Sequence, residues 1–323
     1  MSGIAGGAPR VVFYDPIRGD WSHDIERSIL GPAGVDLVIP EDDAAAETAI
    51  VDADVVVVTG VGRLGAASIA RLRDPAGLLC YSIGMNQVDG EAAAARGIPV
   101  RNVAGYCADE VADHALALLL SLWRHVVPIA AANLAQGWDR AQSMTDVGAI
   151  RRIRGKTLGI VGVGRIGTRV GERARAFGLT TIGADPFVAS RPGVELLPLE
   201  TVMARADAVV VCAALTPQSR GVIGADALGH VKPGALFVNV ARGGLVDEDA
   251  LADALADGRI AAAALDVRDP EPPDPGRDRL TRLPNVLSTP HIAASSQEAA
   301  DDLHRMAAEI CLEMLRDAGR LPA

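Results

Sequence analysis

The sequence predicts an α/β protein of two doubly wound parallel-sheet domains, and three observations carry that prediction. Short apolar, β-branched runs alternate with helical patterns twice along the chain. The second alternation opens on Gly162-Val163-Gly164-Arg165-Ile166-Gly167, a glycine turn set between an apolar strand and a helix. That second half then holds six strand patterns, enough to complete a doubly wound sheet.

In the first half the strands are read at Val11–Tyr14, Val35–Ile39, Val55–Thr59 and Leu78–Ser82, with a short one at Pro99–Asn102. Helices fall between them at Ser22–Leu30, Asp42–Ile50, Ala66–Arg73 and Gly90–Arg96. Asp109–Trp123 is a helix apolar on nearly every side, which predicts burial in its own domain or against a second subunit. The second half supplies strands at Thr157–Val163, Thr180–Asp185, Ala208–Cys212, Ala235–Val240, Ala261–Asp266 and Val286–Ser288. Its helices are Ile166–Phe177, Pro198–Arg205, Ala225–Leu228 and Glu248–Asp257. Gln297–Leu315 closes the chain as an amphipathic helix, with Ala299, Leu303, Met306, Ile310 and Met314 at helical spacing.

A chain of 323 residues is long enough for two domains. Hydrophobic residues make up 49% and charged residues 22%, as in globular proteins, while aromatics are only 3%, so the core rests on small aliphatic side chains. The net charge of −10 argues against nucleic acid or an anionic membrane as the main partner. It leaves an anionic small molecule open, since a local arginine overrides the global field. Cys80, Cys107, Cys212 and Cys311 form no CxxC pair and read as reduced thiols, Cys107 lying near the expected substrate mouth. The N-terminus carries no signal pattern, and the apolar run Ala115–Trp123 is too short to span a bilayer. A cytoplasmic protein is expected.

The glycine turn has a physical logic. Gly162 permits the tight turn, Gly164 lets a pyrophosphate approach the backbone, and Gly167 lets helix and strand pack closely. Arg165 and Ile166 open the helix whose positive end receives phosphate. Asp185 ends the next strand, 185 − 162 = 23 residues on, where a carboxylate accepts ribose hydroxyls and repels a 2′-phosphate. The cofactor expected is NAD, with Ser190 and Arg191 leaving room for NADP. The bland alternative is a packing cluster of glycines with a solvated aspartate.

Three charged residues complete the chemistry: Arg242 after a strand of the second half, Glu271 in a Pro-rich loop, and His291 after Pro290. A guanidinium grips a carboxylate through two parallel bonds and polarises a keto oxygen. A carboxylate bonded to imidazole fixes its tautomer and stabilises the imidazolium, which suits a general acid. No metal-ligating pattern is read. His23, His114, His125, His230 and His304 sit in or beside helical patterns and read as capping, packing or surface groups. Asp266 at a strand end is expected to hold a nicotinamide carboxamide or to cap the strand, and Ala241 lies beside the cofactor. In the first half, backbone N–H groups at Ile83 and Gly84 are candidates for a substrate carboxylate, with Tyr106 and Cys107 lining the same cleft.

Gly84–Asp89, Gly97–Val100, Leu158–Gly167, Val238–Glu248, Leu265–Pro272 and Thr289–His291 together resemble the D-isomer-specific 2-hydroxyacid dehydrogenase family over almost the whole chain. The resemblance implies a Rossmann NAD-binding domain, 105–296, inserted into a flavodoxin-like substrate domain, 1–104 with 297–323. It implies interconversion of a D-2-hydroxy acid and its 2-keto acid, and a homodimer joined near Asp109–Trp123. Val103–His114 and Ile153–Phe177 are similar to the C-terminal binding protein branch, but Ala294 and Ser295 stand where that branch carries an aromatic pair. Gly84–Asp89 also resembles phosphoglycerate dehydrogenases, whose phosphate-binding arginine aligns with Thr59, with Arg63 nearby; this, and an end at Ala323 with no appended regulatory domain, lean against phosphoglycerate. Glu271 argues against the formate dehydrogenases, which carry an amide there. A non-catalytic alternative is an NAD(H)-sensing, corepressor-like binding protein on the same fold.

Overall fold

Runs such as Val55-Val56-Val57-Val58 are buried on both faces, as a parallel sheet covered on each side by helices requires. The computed structural model describes residues 7–14, 22–59, 62–138 and 150–322. The chain divides into two compact units, Met1–Cys107 with Ser296–Ala323, and Ala108–Ser295.

The first unit alternates β1 (Arg10–Tyr14), α1 (Asp24–Leu30), β2 (Asp36–Val38), α2 (Asp43–Ala49), β3 (Val55–Val58), α3 (Ala66–Arg71), β4 (Gly77–Cys80), α4 (Gly90–Ala95) and β5 (Val100–Asn102). All its strands pair in parallel, in the order β2-β1-β3-β4-β5, which is the flavodoxin-like winding. Asp42 and Asp89 start α2 and α4 by accepting the Ala45 and Ala92 N–H groups.

The second unit begins with α5 (Ala108–Arg124) and α6 (Val126–Gln136). It continues through β6 (Thr157–Val161), α7 (Arg165–Ala176), β7 (Thr180–Ala184), β8 (Glu195–Leu196), α8 (Leu199–Arg205) and β9 (Ala208–Val211). Then come α9 (Ala225–Gly229), β10 (Ala235–Asn239), α10 (Glu248–Ala256), β11 (Ile260–Leu265) and β12 (Val286–Ser288). The sheet order is β12-β11-β10-β9-β6-β7-β8, all parallel, so the strand order reverses at β6. That switch point is where the glycine turn lies. The chain ends with α11 (Gln297–Asp317), which belongs to the first unit and is capped by Ser296.

Two elements were not expected. The two-residue β8 is partly exposed and too short to show a period. Helix α6 follows α5 after a break at His125, whose φ is +53°, and none of its residues is buried, so no apolar stripe marks it. Helix α5 buries Val111, Ala112, Ala115, Leu116, Leu118, Leu119 and Trp123 and packs on α7, β10 and β11 of its own unit. No single described helix is long and apolar enough to cross a membrane; α5 and α6 reach that test only together, across a 60° bend.

Candidate active site

The end of β6 delivers the glycine turn in the geometry its sequence predicts. Gly162 has φ +89°, and a Cβ there would lie 2.4 Å from the Ala213 Cα. A Cβ on Gly167 would lie 2.1 Å from the Gly162 carbonyl oxygen. Gly164 is the N-cap of α7, and a Cβ there would meet nothing within 4 Å. The cradle is thus closed where strand and helix pack and open where a pyrophosphate would approach. Arg165, at the start of α7, is exposed, and Ile166 is half-buried. The helix runs twelve residues, so its N-terminal N–H groups and dipole face that opening. The residues present therefore fit a dinucleotide.

Asp185 follows β7 and is half-buried. Its carboxylate accepts the Val163 N–H at 2.8 Å and the Phe187 N–H at 2.9 Å, which ties it to the turn. Arg191 donates to the Val163 carbonyl at 3.0 Å, placing a guanidinium beside the same turn.

At the other side of the switch point, β10 ends at Asn239, whose side chain bonds the Ala241 N–H at 3.0 Å and the Arg242 carbonyl at 3.1 Å. This brace presents Arg242, half-buried and in extended conformation, ahead of the short 3-10 turn Gly243–Leu245. Gly243 is required by contact: a Cβ there would lie 2.1 Å from the Arg268 carbonyl carbon. The Arg242 strand end and the loop carrying Glu271 are therefore backbone against backbone.

Glu271 accepts the Arg268 N–H at 2.9 Å on one oxygen and meets His291 Nδ1 at 2.7 Å on the other. Burial works against its ionisation. The bonds from His291 and the Arg268 N–H, with the charges of His291 and Arg242, outweigh it and hold the carboxyl below its usual range. With Nδ1 engaged by Glu271, Nε2 is the ring nitrogen of His291 left available. Arg268 is itself clamped, donating to Glu248 at 2.9 Å and Asp278 at 2.7 Å, and Glu248 also takes the Asp269 N–H at 2.9 Å.

His291 has φ +53°, a left-handed backbone unusual for a residue with a side chain. Asp266 holds it there. The Asp266 carbonyl accepts the His291 N–H at 2.8 Å, and its carboxylate takes the N–H groups of Ile292 and Ala293 at 3.0 Å each. Thr289 adds a bond at 2.6 Å, and His114 of α5 stands 3.1 Å from the Thr289 hydroxyl and 3.6 Å from the carboxylate. Asp266 is 2% exposed. Both its oxygens are engaged within the chain, so in this structure it pins the His291 turn. His114, read from sequence as a capping, packing or surface group, joins that network. No local signal marks it, because its partners lie 152 and 175 residues away.

Arg242, Glu271 and His291 are thus brought together in the second unit. Ile83, Gly84 and Tyr106 belong to the first. The turn after β4 is braced there by Ser82, which donates to the Gly84 carbonyl at 2.9 Å and accepts from Gln87 at 2.7 Å. Asn102 donates to the Ile83 carbonyl. Among the described residues no acceptor takes the Ile83 or Gly84 N–H. Tyr106 packs half-buried against the core of that unit, and Cys107 is buried. Burial pushes the Cys80 thiol up to about 11 and Cys311 up to about 12, as expected of inert core cysteines.

Comparison with known proteins bears on the family and the fold. The sequence profile of the D-isomer specific 2-hydroxyacid dehydrogenase NAD-binding domain matches residues 116–293. The D-3-phosphoglycerate dehydrogenase of Archaeoglobus fulgidus is 39% identical over 251 residues, 75% of this chain and 46% of that protein. The glycerate dehydrogenase of Methylorubrum extorquens is 37% identical over 236 residues, 72% of this chain and 74% of that protein. The solved structure of the TT0316 protein from Thermus thermophilus superimposes with a TM-score of 0.81 at 33% identity, covering 97% of this chain and 98% of the other. The chain spans about half or less of the length of the phosphoglycerate dehydrogenases it matches. With a matching NAD-binding domain that covers more than half of its length, the chain belongs to the D-isomer specific 2-hydroxyacid dehydrogenase family.

Proposed function

We propose that the chain is an NAD-dependent dehydrogenase that interconverts a D-2-hydroxy acid and its 2-keto acid. The observation that carries this reading is the His291–Glu271 pair at 2.7 Å, set beside Arg242 at the strand ends of a nucleotide-binding sheet. Bound NADH supplies a hydride. Gly162, Gly164, Gly167 and the N-terminus of α7 would hold its pyrophosphate, and Asp185 its ribose. Arg242 binds the substrate carboxylate. Arg242 polarises the keto oxygen, and His291 Nε2 donates the proton that oxygen needs as C2 is reduced. Glu271 stabilises the imidazolium before transfer and fixes the ring afterwards.

The relatives named as phosphoglycerate dehydrogenases favour a phosphorylated substrate as the second reading. Against it, Thr59 is 3% exposed and uncharged where that branch places its phosphate-binding arginine. Arg63 is the cation nearest in sequence, in a loop partly outside the described residues. Following NADH consumption against glyoxylate, pyruvate, hydroxypyruvate, phenylpyruvate, branched keto acids and phosphohydroxypyruvate, with NADPH in parallel, separates the readings. Turnover on an unphosphorylated acid supports the first, and turnover confined to phosphohydroxypyruvate the second. No turnover, with NADH still bound, would favour the sensor reading.

A cytoplasmic homodimer completes the proposal. Val126 and Leu134 of α6 are 52% and 87% exposed, with Trp138 after it at 93%, an apolar face suited to a second copy. Leu134→Glu should convert dimer to monomer in sedimentation; a monomeric wild type would contradict the assignment.

A further inference from the structure

The first unit contains a second cluster of chemically active side chains, apart from the residues assigned above. His23, Glu26 and His304 bring one ligand atom each to within 4.8 Å of one another. They come from three places in sequence: His23 at the N-cap of α1, Glu26 one turn on, and His304 on α11. Tyr81, just after β4, adds its hydroxyl. Glu26 is 1% exposed, Tyr81 2% and His23 8%, while the His304 side chain keeps 15% exposure, which gives a path inward. Phe13 lies edge-on to His23 at 4.6 Å and to Tyr81 at 5.4 Å between ring centres, so part of the shell is apolar.

The contacts are not those of a finished hydrogen-bond network. Glu26 Oε1 lies 2.7 Å from the Tyr81 hydroxyl and 2.6 Å from His304 Nδ1, and those two atoms are themselves 2.6 Å apart. One proton on Tyr81 and at most one on His304 Nδ1 serve three close contacts. His23 Nδ1 stands 3.5 Å from the same oxygen, and both it and Glu26 Oε2 are buried without a hydrogen-bond partner. Buried polar atoms are almost always paired, and orphans at one point call for a missing group. His23 is also held at φ +49°, and its side chain makes no cap bond to α1. The left-handed backbone thus presents its ring to the cluster instead of to the helix.

Two imidazoles and a carboxylate are a ligand set for a borderline, four-coordinate cation, and the Tyr81 oxygen completes it on giving up its proton. All-oxygen sites suit calcium and magnesium instead. We infer that His23, Glu26 and His304, with Tyr81 as fourth donor, form a site for a zinc-class divalent metal ion that staples α1 to α11. The staple joins residues 278 apart in sequence, where the chain's last helix returns to its first domain. Crossing so long a loop makes such a bridge effective against unfolding.

The test uses tag-free, chelator-stripped protein titrated with Co²⁺ and then Zn²⁺. The expected result is one equivalent of Co²⁺ with the absorption of a four-coordinate site, displaced by Zn²⁺, and a Tm that rises with either metal. His304→Asn and Glu26→Gln should each weaken binding by more than about 100-fold, beyond the loss seen when an outer-sphere partner is removed. A buried Glu26 variant can fail to fold, so His23→Ala, which removes a donor that makes no cap bond, is read beside it and should also lose the signal. His291→Ala should keep it. Absence of a saturable equivalent in the folded wild type would overturn the site. So would unchanged affinity in folded His23→Ala and His304→Asn, or loss of the signal in His291→Ala.

Discussion

Asp266 holds His291 through the backbone: its carbonyl takes the His291 N–H at 2.8 Å, and its carboxylate takes the next two N–H groups at 3.0 Å each. The left-handed turn at His291 therefore rests on a carboxylate 25 residues upstream. Asp266→Ala removes the acceptor of the Ile292 and Ala293 N–H groups, and leaving the buried Ala293 N–H unpaired costs about 1–3 kcal/mol. The turn then loosens, and a misplacement of about 1 Å is enough to lower turnover by ~10²-fold. Steady-state kinetics beside NADH affinity measure this. Loss of NADH affinity with kcat intact would instead assign Asp266 to the cofactor.

Glu271→Gln keeps the shape of the His291 partner but removes its charge. The protonated imidazole loses its counter-ion, so the acid form needed for ketone reduction persists only to lower pH. The pH–rate profile for reduction should move toward acid, with a smaller change in KM for the keto acid. A profile identical to wild type would contradict the pairing at 2.7 Å.

The Arg268 clamp predicts acid sensitivity. The hydrogen bond from Arg268 holds the Asp278 carboxyl well below the ordinary aspartate range near 3.8, and Thr281 adds to it. Because the folded value is depressed, the stability from this pair is complete above the ordinary range. It is lost as pH falls toward the folded value. Asp278→Asn should therefore lower Tm at neutral pH, and the gap from wild type should shrink by about pH 3. A gap equal at both pH values would contradict the pairing.

The fold was legible because parallel strands buried on both faces leave unbroken apolar runs, and because Gly162 and Asp185 flag the turn and the next strand end. Asn239 and Gly243 were visible only as part of a motif. Their reasons, a brace under Arg242 and a backbone contact with Arg268, need the third dimension. The His114–Thr289–Asp266 network joins residues more than 150 positions apart at its longest links, so no periodicity reports it. The same is true of His23 and His304, which sequence treats as separate helix-end or surface groups and the fold places on one carboxylate. Helix α6 was missed because its exposed apolar residues follow no buried stripe.

The most direct test follows the hydride. NADH carrying deuterium at the transferable C4 position is incubated with the keto acid that the substrate panel selects, using wild type and His291→Ala. Wild type should place deuterium on C2 of the D-hydroxy acid. His291→Ala should form the same labelled product about 10²–10⁴-fold more slowly, the share expected of a general acid. Unlabelled product, an L-hydroxy acid, or equal rates in the two proteins would contradict the account.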